Sequence, residues 1–299
     1  MKKQSFFNYI KLLRITSWPK NFFVCVPAVF SKHIFSSEYI LTIIIGFLTF
    51  SIASSTVYVF NDIVDASKDA LHPLKKNRPL ASGLITRKNA IVLALFLFFI
   101  FFGLTTQVPF YYGLIVWGYL IINFLYSIIL KQIVIVDLFC IASGFMLRVL
   151  GGALLISVVV SNWLVLTTLF LSLFLASMKR RVEIASSPNA SEQREVLKDY
   201  SLIFIDQIGA LTGSGVILSY ALYTVAERTV TVFGTENLVF TTMFVIFGIF
   251  RYMYLVYKKD KGENVIEVLM TDIPMIINLF FYIISILYII YLRNSALLQ

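Results

Sequence analysis

The chain has 299 residues, of which 59% are hydrophobic and only 14% charged, with 28 Phe and 16 Tyr. A soluble domain of this length has no use for so much apolar surface. Composition therefore excludes one and points to an all-α integral membrane protein, with apolar runs of about 20 residues. The net charge of +9 is assigned to loop charge bias and to anionic lipid or phosphate partners, with no nucleic acid.

In chain order, Phe6, Ile10 and Leu13 share one helical face. Residues 5–16 therefore predict an interfacial helix within a surface segment, 1–19. Its charges are dispersed and no small-residue cleavage site follows, unlike a signal peptide. Nine spans are expected, at about 20–36, 39–60, 89–107, 110–130, 133–156, 162–178, 202–226, 238–257 and 272–292. Pro19 and Pro27 interrupt the first. Twenty Lys and Arg side chains fall on the N-terminal segment and on the loops 61–88, around 131, 179–200 and 258–271. The opposite face holds only three, Lys32, Arg228 and Arg293. The positive-inside rule then puts the N-terminus and the polar loops in the cytoplasm, and the odd span count puts the C-terminus outside. No linker divides the chain, so 1–299 is expected to be a single domain, with 61–88 and 179–200 as cytoplasmic active-site loops. Cys25 and Cys140 lie in apolar runs and read as small core residues.

The strongest chemical signal follows the second span, in Asn61-Asp62-Ile63-Val64-Asp65-Ala66-Ser67-Lys68-Asp69. Asn61, Asp65 and Asp69 are spaced i, i+4, i+8, so on a helix they share one face. Oxygen ligands of this kind suit a hard cation such as Mg²⁺ beside a substrate phosphate. Lys75 and Arg78 follow, between Pro73 and Pro79, as a candidate phosphate clamp. Tyr126 and Lys131 close the fourth span. Asp137 and Arg148 are ionisable groups inside a span, each expected to find its partner on another helix or on a ligand. The nearby Gly151 and Gly152 read as close helix packing. Lys179 and Arg180 end the sixth span, with Glu183 one turn on from Lys179; they are either positive-inside charge or a grip on a second phosphate. Tyr200 opens the seventh span, and Arg251 lies inside the eighth, where it calls for a carboxylate or phosphate. No histidine has a catalytic setting.

Taken together these residues resemble the UbiA superfamily of intramembrane prenyltransferases. The N-x-x-x-D-x-x-x-D of Asn61, Asp65 and Asp69 looks like that family's diphosphate-binding signature, and Tyr126 to Lys131 looks like a second motif. The resemblance implies nine helices in a UbiA-type bundle with a cytoplasm-facing cavity, in a bacterial inner membrane. The family's second acidic motif is absent; Lys-Arg-Arg-Val-Glu stands in its place. With Trp18-Pro19-Lys20-Asn21, His72-Pro73-x-Lys75-x-x-Arg78-Pro79 and Phe250-Arg251-Tyr252, this departure is similar to one branch of the family. That branch uses Mg²⁺ to transfer 5-phosphoribose from phosphoribosyl pyrophosphate (PRPP) to a polyprenyl phosphate, feeding envelope polysaccharide. The resemblance implies that Asn61, Asp65 and Asp69 hold the metal and act catalytically. It also implies that Lys20, Asn21, Asp62, Lys75, Arg78, Tyr126, Lys131, Asp137, Arg148, Lys179, Arg180, Glu183, Tyr200 and Arg251 meet substrate. Three anionic groups across two substrates need more cations than a prenyl diphosphate does, which fits this residue set. Prenyl transfer to an aromatic acceptor, and transport, remain the alternatives; homo-oligomerisation is left open.

Overall fold

The structure is a computed structural model that describes residues 2–31, 33–71, 75–186, 195–259 and 265–292. The described residues are helical, without strands. Eight helices are long and apolar enough to cross a membrane. They coincide with eight of the nine expected spans. The expected first span, 20–36, is not among them. After α1 (Lys2–Leu13), residues Ile15–Cys25 wind as 3₁₀ turns around Pro19, and α2 (Val26–Phe30) is a short α-helix with Pro27 in its first turn. Proline removes a backbone donor and crowds the preceding turn, so no long α-helix is available there.

The chain divides into two compact units, residues 1–140 with 147–159, and residues 141–146 with 160–299. In the first, α3 (Ser37–Leu71) is the central element, packed by α4 (Arg87–Thr105), by α5 (Phe110–Ile128) and by the 3₁₀ segment. Phe50, Ala53, Tyr112, Val116 and Leu120 form its core with Leu155 from α6 (Val136–Leu155). The Tyr112 hydroxyl donates to the Gly46 carbonyl at 2.6 Å, satisfying a buried polar group within that core. The small residues of α6 have the packing role expected of them. A Cβ on Gly152 would overlap the Val24 backbone carbonyl, so only glycine lets the two segments approach.

At 35 residues α3 is about 52 Å long, well beyond the roughly 30 Å hydrocarbon core. Its helix therefore continues through the acidic motif, where an active-site loop was expected from residue 61. Nothing in 61–71 breaks a helix, and α3 runs helical to Leu71. His72 and Pro73 themselves lie outside the described residues. The second unit shows the same extension, with α7 (Asn162–Ser186) carrying Lys179–Glu183 as helix.

That second unit packs α7 against α8 (Leu202–Val225), followed by α9 (Glu227–Phe233), α10 (Thr242–Lys259), α11 (Val265–Thr271) and α12 (Ile273–Leu287). Phe174, Met178, Val216, Ile249, Tyr252 and Val256 make its core. Asp272 caps α12 by accepting from the Met275 N–H at 3.1 Å. Both cysteines are half-buried, and neither forms a disulfide.

Candidate active site

The helical course of α3 puts Asn61, Asp65 and Asp69 on one face, as their spacing predicts. Each carboxylate of the motif meets a cation. Asp65 accepts from the Lys131 ammonium at 2.7 Å, delivered by the 3₁₀ turn Leu130–Gln132 that ends α5. Asp69 accepts from Arg78 at 2.5 Å, and the same guanidinium nitrogen lies 3.3 Å from Asp62. Asp62 accepts chiefly from Arg14. Asp62 and Asp69 are nearly closed to solvent, with side chains 3% and 7% exposed, whereas Asp65 is 22% exposed. Burial without counter-charge would cost several kcal/mol per ion, so these cations are what allow the carboxylates to sit where they do. Asn61 Oδ1 is buried with no hydrogen-bond partner, a loss of about 1–3 kcal/mol that a bound donor or cation would recover.

Among the described residues no group of three His, Cys, Asp or Glu side chains is drawn together as a metal cluster. The donor set nevertheless fits a hard cation: an orphaned amide oxygen and two carboxylates in register on one helix face, all oxygen. Lys75 opens the 3₁₀ turn Lys75–Asn77, and its carbonyl accepts from the Arg78 N–H at 2.9 Å, which ties the two candidate phosphate ligands into one turn. Tyr126 lies half-buried near the end of α5.

A second polar cluster of the same unit surrounds Arg148. Its Nε donates to Asn21 Oδ1 at 2.8 Å, and one terminal nitrogen reaches Ser54 at 3.2 Å and the Tyr119 hydroxyl at 3.3 Å. The guanidinium lies 4.7 Å from the Phe50 ring centroid and 4.8 Å from that of Tyr119. Asn21 also donates to Ser51 at 3.0 Å. Arg148 thus finds partners on other elements, as its place inside a span required. Asp137 is fully buried in the first turn of α6, where a carboxylate complements the helix dipole. It stands about 16 Å along the axis from Arg148, too far to pair with it.

In the second unit Arg180 is fully buried and pairs with Glu183, while the more exposed Lys179 lies 4.0 Å from the same carboxylate. Glu183 therefore orients Arg180 first, rather than Lys179 as its one-turn spacing suggested. Tyr200 is buried and stacks on Phe204. Arg251 holds Asp272 with two nitrogens, at 3.0 and 2.9 Å, so the carboxylate it called for is the α12 cap. Sequence reasoning missed Arg14, which it counted only as a topology charge. It also missed Arg181, which joins Asp206 at 3.0 Å and lies over the Tyr257 ring.

Residues 22–271 match the profile of the UbiA prenyltransferase family. The chain belongs to that family. It is therefore a multi-pass membrane transferase. Among its relatives, decaprenyl-phosphate phosphoribosyltransferase of Corynebacterium glutamicum is 30% identical over 219 residues, covering 72% of this chain and 66% of that one. The protein of the same name from Mycolicibacterium smegmatis is 26% identical, covering 72% of this chain and 69% of its own length. This chain thus spans about two thirds of the curated relatives it matches. A UbiA homolog from Archaeoglobus fulgidus, solved bound to GPP and Mg²⁺, superposes with a TM-score of 0.72 over 95% of this chain and 99% of its own. At 17% identity that likeness shows the UbiA fold alone.

Proposed function

We propose that this UbiA-family protein transfers 5-phosphoribose from PRPP to a polyprenyl phosphate. The observation that carries the reading is the acidic face of α3 with its matched cations: Asp65 with Lys131, and Asp69 with Arg78. Asn61, Asp65 and Asp69 would hold Mg²⁺, which when bound supplies positive charge to the departing pyrophosphate. Arg78 and Lys131, already beside those carboxylates, supply further cations for the diphosphate. The C1–O bond to pyrophosphate breaks with its electron pair leaving on the pyrophosphate oxygen. A lipid phosphate oxygen forms the new bond to C1 from the opposite face, inverting the anomeric centre. That oxygen is anionic at neutral pH, so no general base is required. Lys20, Asn21, Lys75, Arg148, Lys179 and Arg180 are proposed to meet the remaining phosphates. The names of the curated relatives support this substrate pair.

The whole chain is proposed to act as one UbiA-type domain in a bacterial inner membrane, with its catalytic cavity and N-terminus cytoplasmic and its C-terminus outside. A ninth crossing remains compatible with the broken first segment. Eleven residues of 3₁₀ turns and five of α-helix extend about 30 Å, enough for a hydrocarbon core. The product would serve as a lipid-linked pentose donor for envelope polysaccharide.

Radiolabelled PRPP incubated with polyprenyl phosphate and membranes containing the chain tests the assignment. Labelled lipid is expected, dependent on Mg²⁺. Prenylation of an aromatic acceptor from labelled prenyl diphosphate, with no pentose transfer, would instead establish the ordinary prenyltransferase activity that bound GPP in the structural neighbour brings to mind.

A further inference from the structure

We infer that Arg14 is a positioning residue that sets the charge of the acidic face of α3 by neutralising Asp62. The inference rests on reading that face as the metal and diphosphate site. Three observations carry it. First, Arg14 adopts the left-handed conformation, with φ 50°, which non-glycine residues seldom do. The bend ends α1 and turns the chain into the 3₁₀ segment, with the Ser17 N–H donating to the Arg14 carbonyl at 2.8 Å. Second, this bend is fastened to α3. The Trp18 indole donates to Ser55 at 3.0 Å, the Ser55 hydroxyl donates to the Leu13 carbonyl at 2.9 Å, and Leu12 is fully buried. Third, the guanidinium lies 4.9 Å from the Tyr58 ring centroid and donates to Asp62 one turn further along α3. An exposed topology charge needs none of this.

The consequence lies in how the cations are shared. Among the described ion pairs, Arg14, Arg78 and Lys131 face Asp62, Asp65 and Asp69, three charges against three. Arg78 contacts both Asp62 and Asp69, with the shorter bond to Asp69. With Arg14 in place, Asp62 has a counter-charge of its own and Arg78 stays with Asp69. Without it, two nearly buried carboxylates compete for one guanidinium, and the face gains a net negative charge. A more negative face binds a divalent cation more tightly and an anionic diphosphate more weakly. Those opposite signs distinguish charge-setting from a packing role, which would weaken both.

The test uses the full-length purified protein with Arg14→Ala, Arg14→Lys, Asp62→Asn and the Arg14→Ala/Asp62→Asn double variant. Isothermal titration of substrate-free protein with Mg²⁺ alone is set beside KM and kcat for PRPP. Arg14→Ala is expected to tighten Mg²⁺ binding about tenfold, or 1.4 kcal/mol, and to raise the KM for PRPP by a similar factor. Arg14→Lys should restore both in part, since it returns the charge without the fork geometry. In the Asp62→Asn background, Arg14→Ala should change neither quantity. Unchanged or weaker Mg²⁺ binding in Arg14→Ala, or an equal effect with Asp62→Asn present, overturns the inference. If Arg14→Ala does not fold, the double variant decides. Its folding supports charge neutralisation, and its failure assigns Arg14 to packing. Wild-type protein that binds no Mg²⁺, or Asp65→Asn binding it as wild type does, would instead sink the reading of the acidic face, and this inference with it.

Discussion

Replacing Arg78 by alanine should damage stability and catalysis by separable routes. Its guanidinium is shared by Asp62 and Asp69, whose side chains are only 3% and 7% exposed. Removing it leaves Asp69 buried without this counter-charge, while Asp62 keeps Arg14. Breaking a buried pair costs about 3–5 kcal/mol; because the Arg78 side chain is itself 28% exposed and water can enter the vacated volume, we expect about 2 kcal/mol. If Arg78 also binds the diphosphate, a further 2–4 kcal/mol of charge-assisted contact is lost from the reaction, or roughly 30-fold or more in kcat/KM for PRPP. Denaturation of the detergent-solubilised protein reads the first quantity, and labelled phosphoribose transfer at varied PRPP reads the second. The double variant Arg78→Ala/Asp69→Asn removes the stranded charge. It should regain most of the stability and none of the transfer. Normal melting together with normal PRPP kinetics in Arg78→Ala would refute both halves of the reasoning. Because Asp69→Asn alone is expected to abolish transfer, the double variant reads stability only; lowered melting with normal PRPP kinetics in Arg78→Ala would show that Arg78 serves only to hold Asp69.

Asp65→Asn and Asp69→Asn should each abolish transfer in a protein that still inserts and folds, since each removes an oxygen ligand from the α3 face. Turnover like wild type in either, at saturating Mg²⁺, would remove the metal assignment. Lys179→Ala should lower kcat/KM for PRPP or for the lipid phosphate by roughly 30-fold or more, with Mg²⁺ affinity little changed. Arg180→Ala should do the same but also destabilise the protein, because that guanidinium is fully buried against Glu183; if both keep normal kinetics, these are topology charges only. Cysteine labelling in intact cells should find the N-terminus protected in the cytoplasm and the C-terminus exposed, and labelling of both ends from one side would mean an even number of crossings.

Much of this protein could be read without coordinates because its signals are local. Hydropathy alone locates eight of the long helices, since a span must satisfy its backbone within itself and so leaves a continuous apolar run. The i, i+4, i+8 order of Asn61, Asp65 and Asp69 is likewise a property of one helix, and it survived intact. What sequence spacing could not reveal depends on contacts between distant segments. Arg14 is 48 residues from Asp62, and Lys131 is 66 from Asp65. Only the packed bend after α1 and the turn after α5 bring those charges to the acidic face. The partner of Arg251 is a helix cap 21 residues away, and a cap is recognisable only once the start of α12 is known. The break at Pro19 and Pro27 was visible, yet whether the segment kinked or lost its α-helix depended on its packing against α3. The motif residues themselves were set by the order of the chain; which cation neutralises which carboxylate was decided by the fold, because a buried charge must find its counter-ion wherever the backbone delivers one.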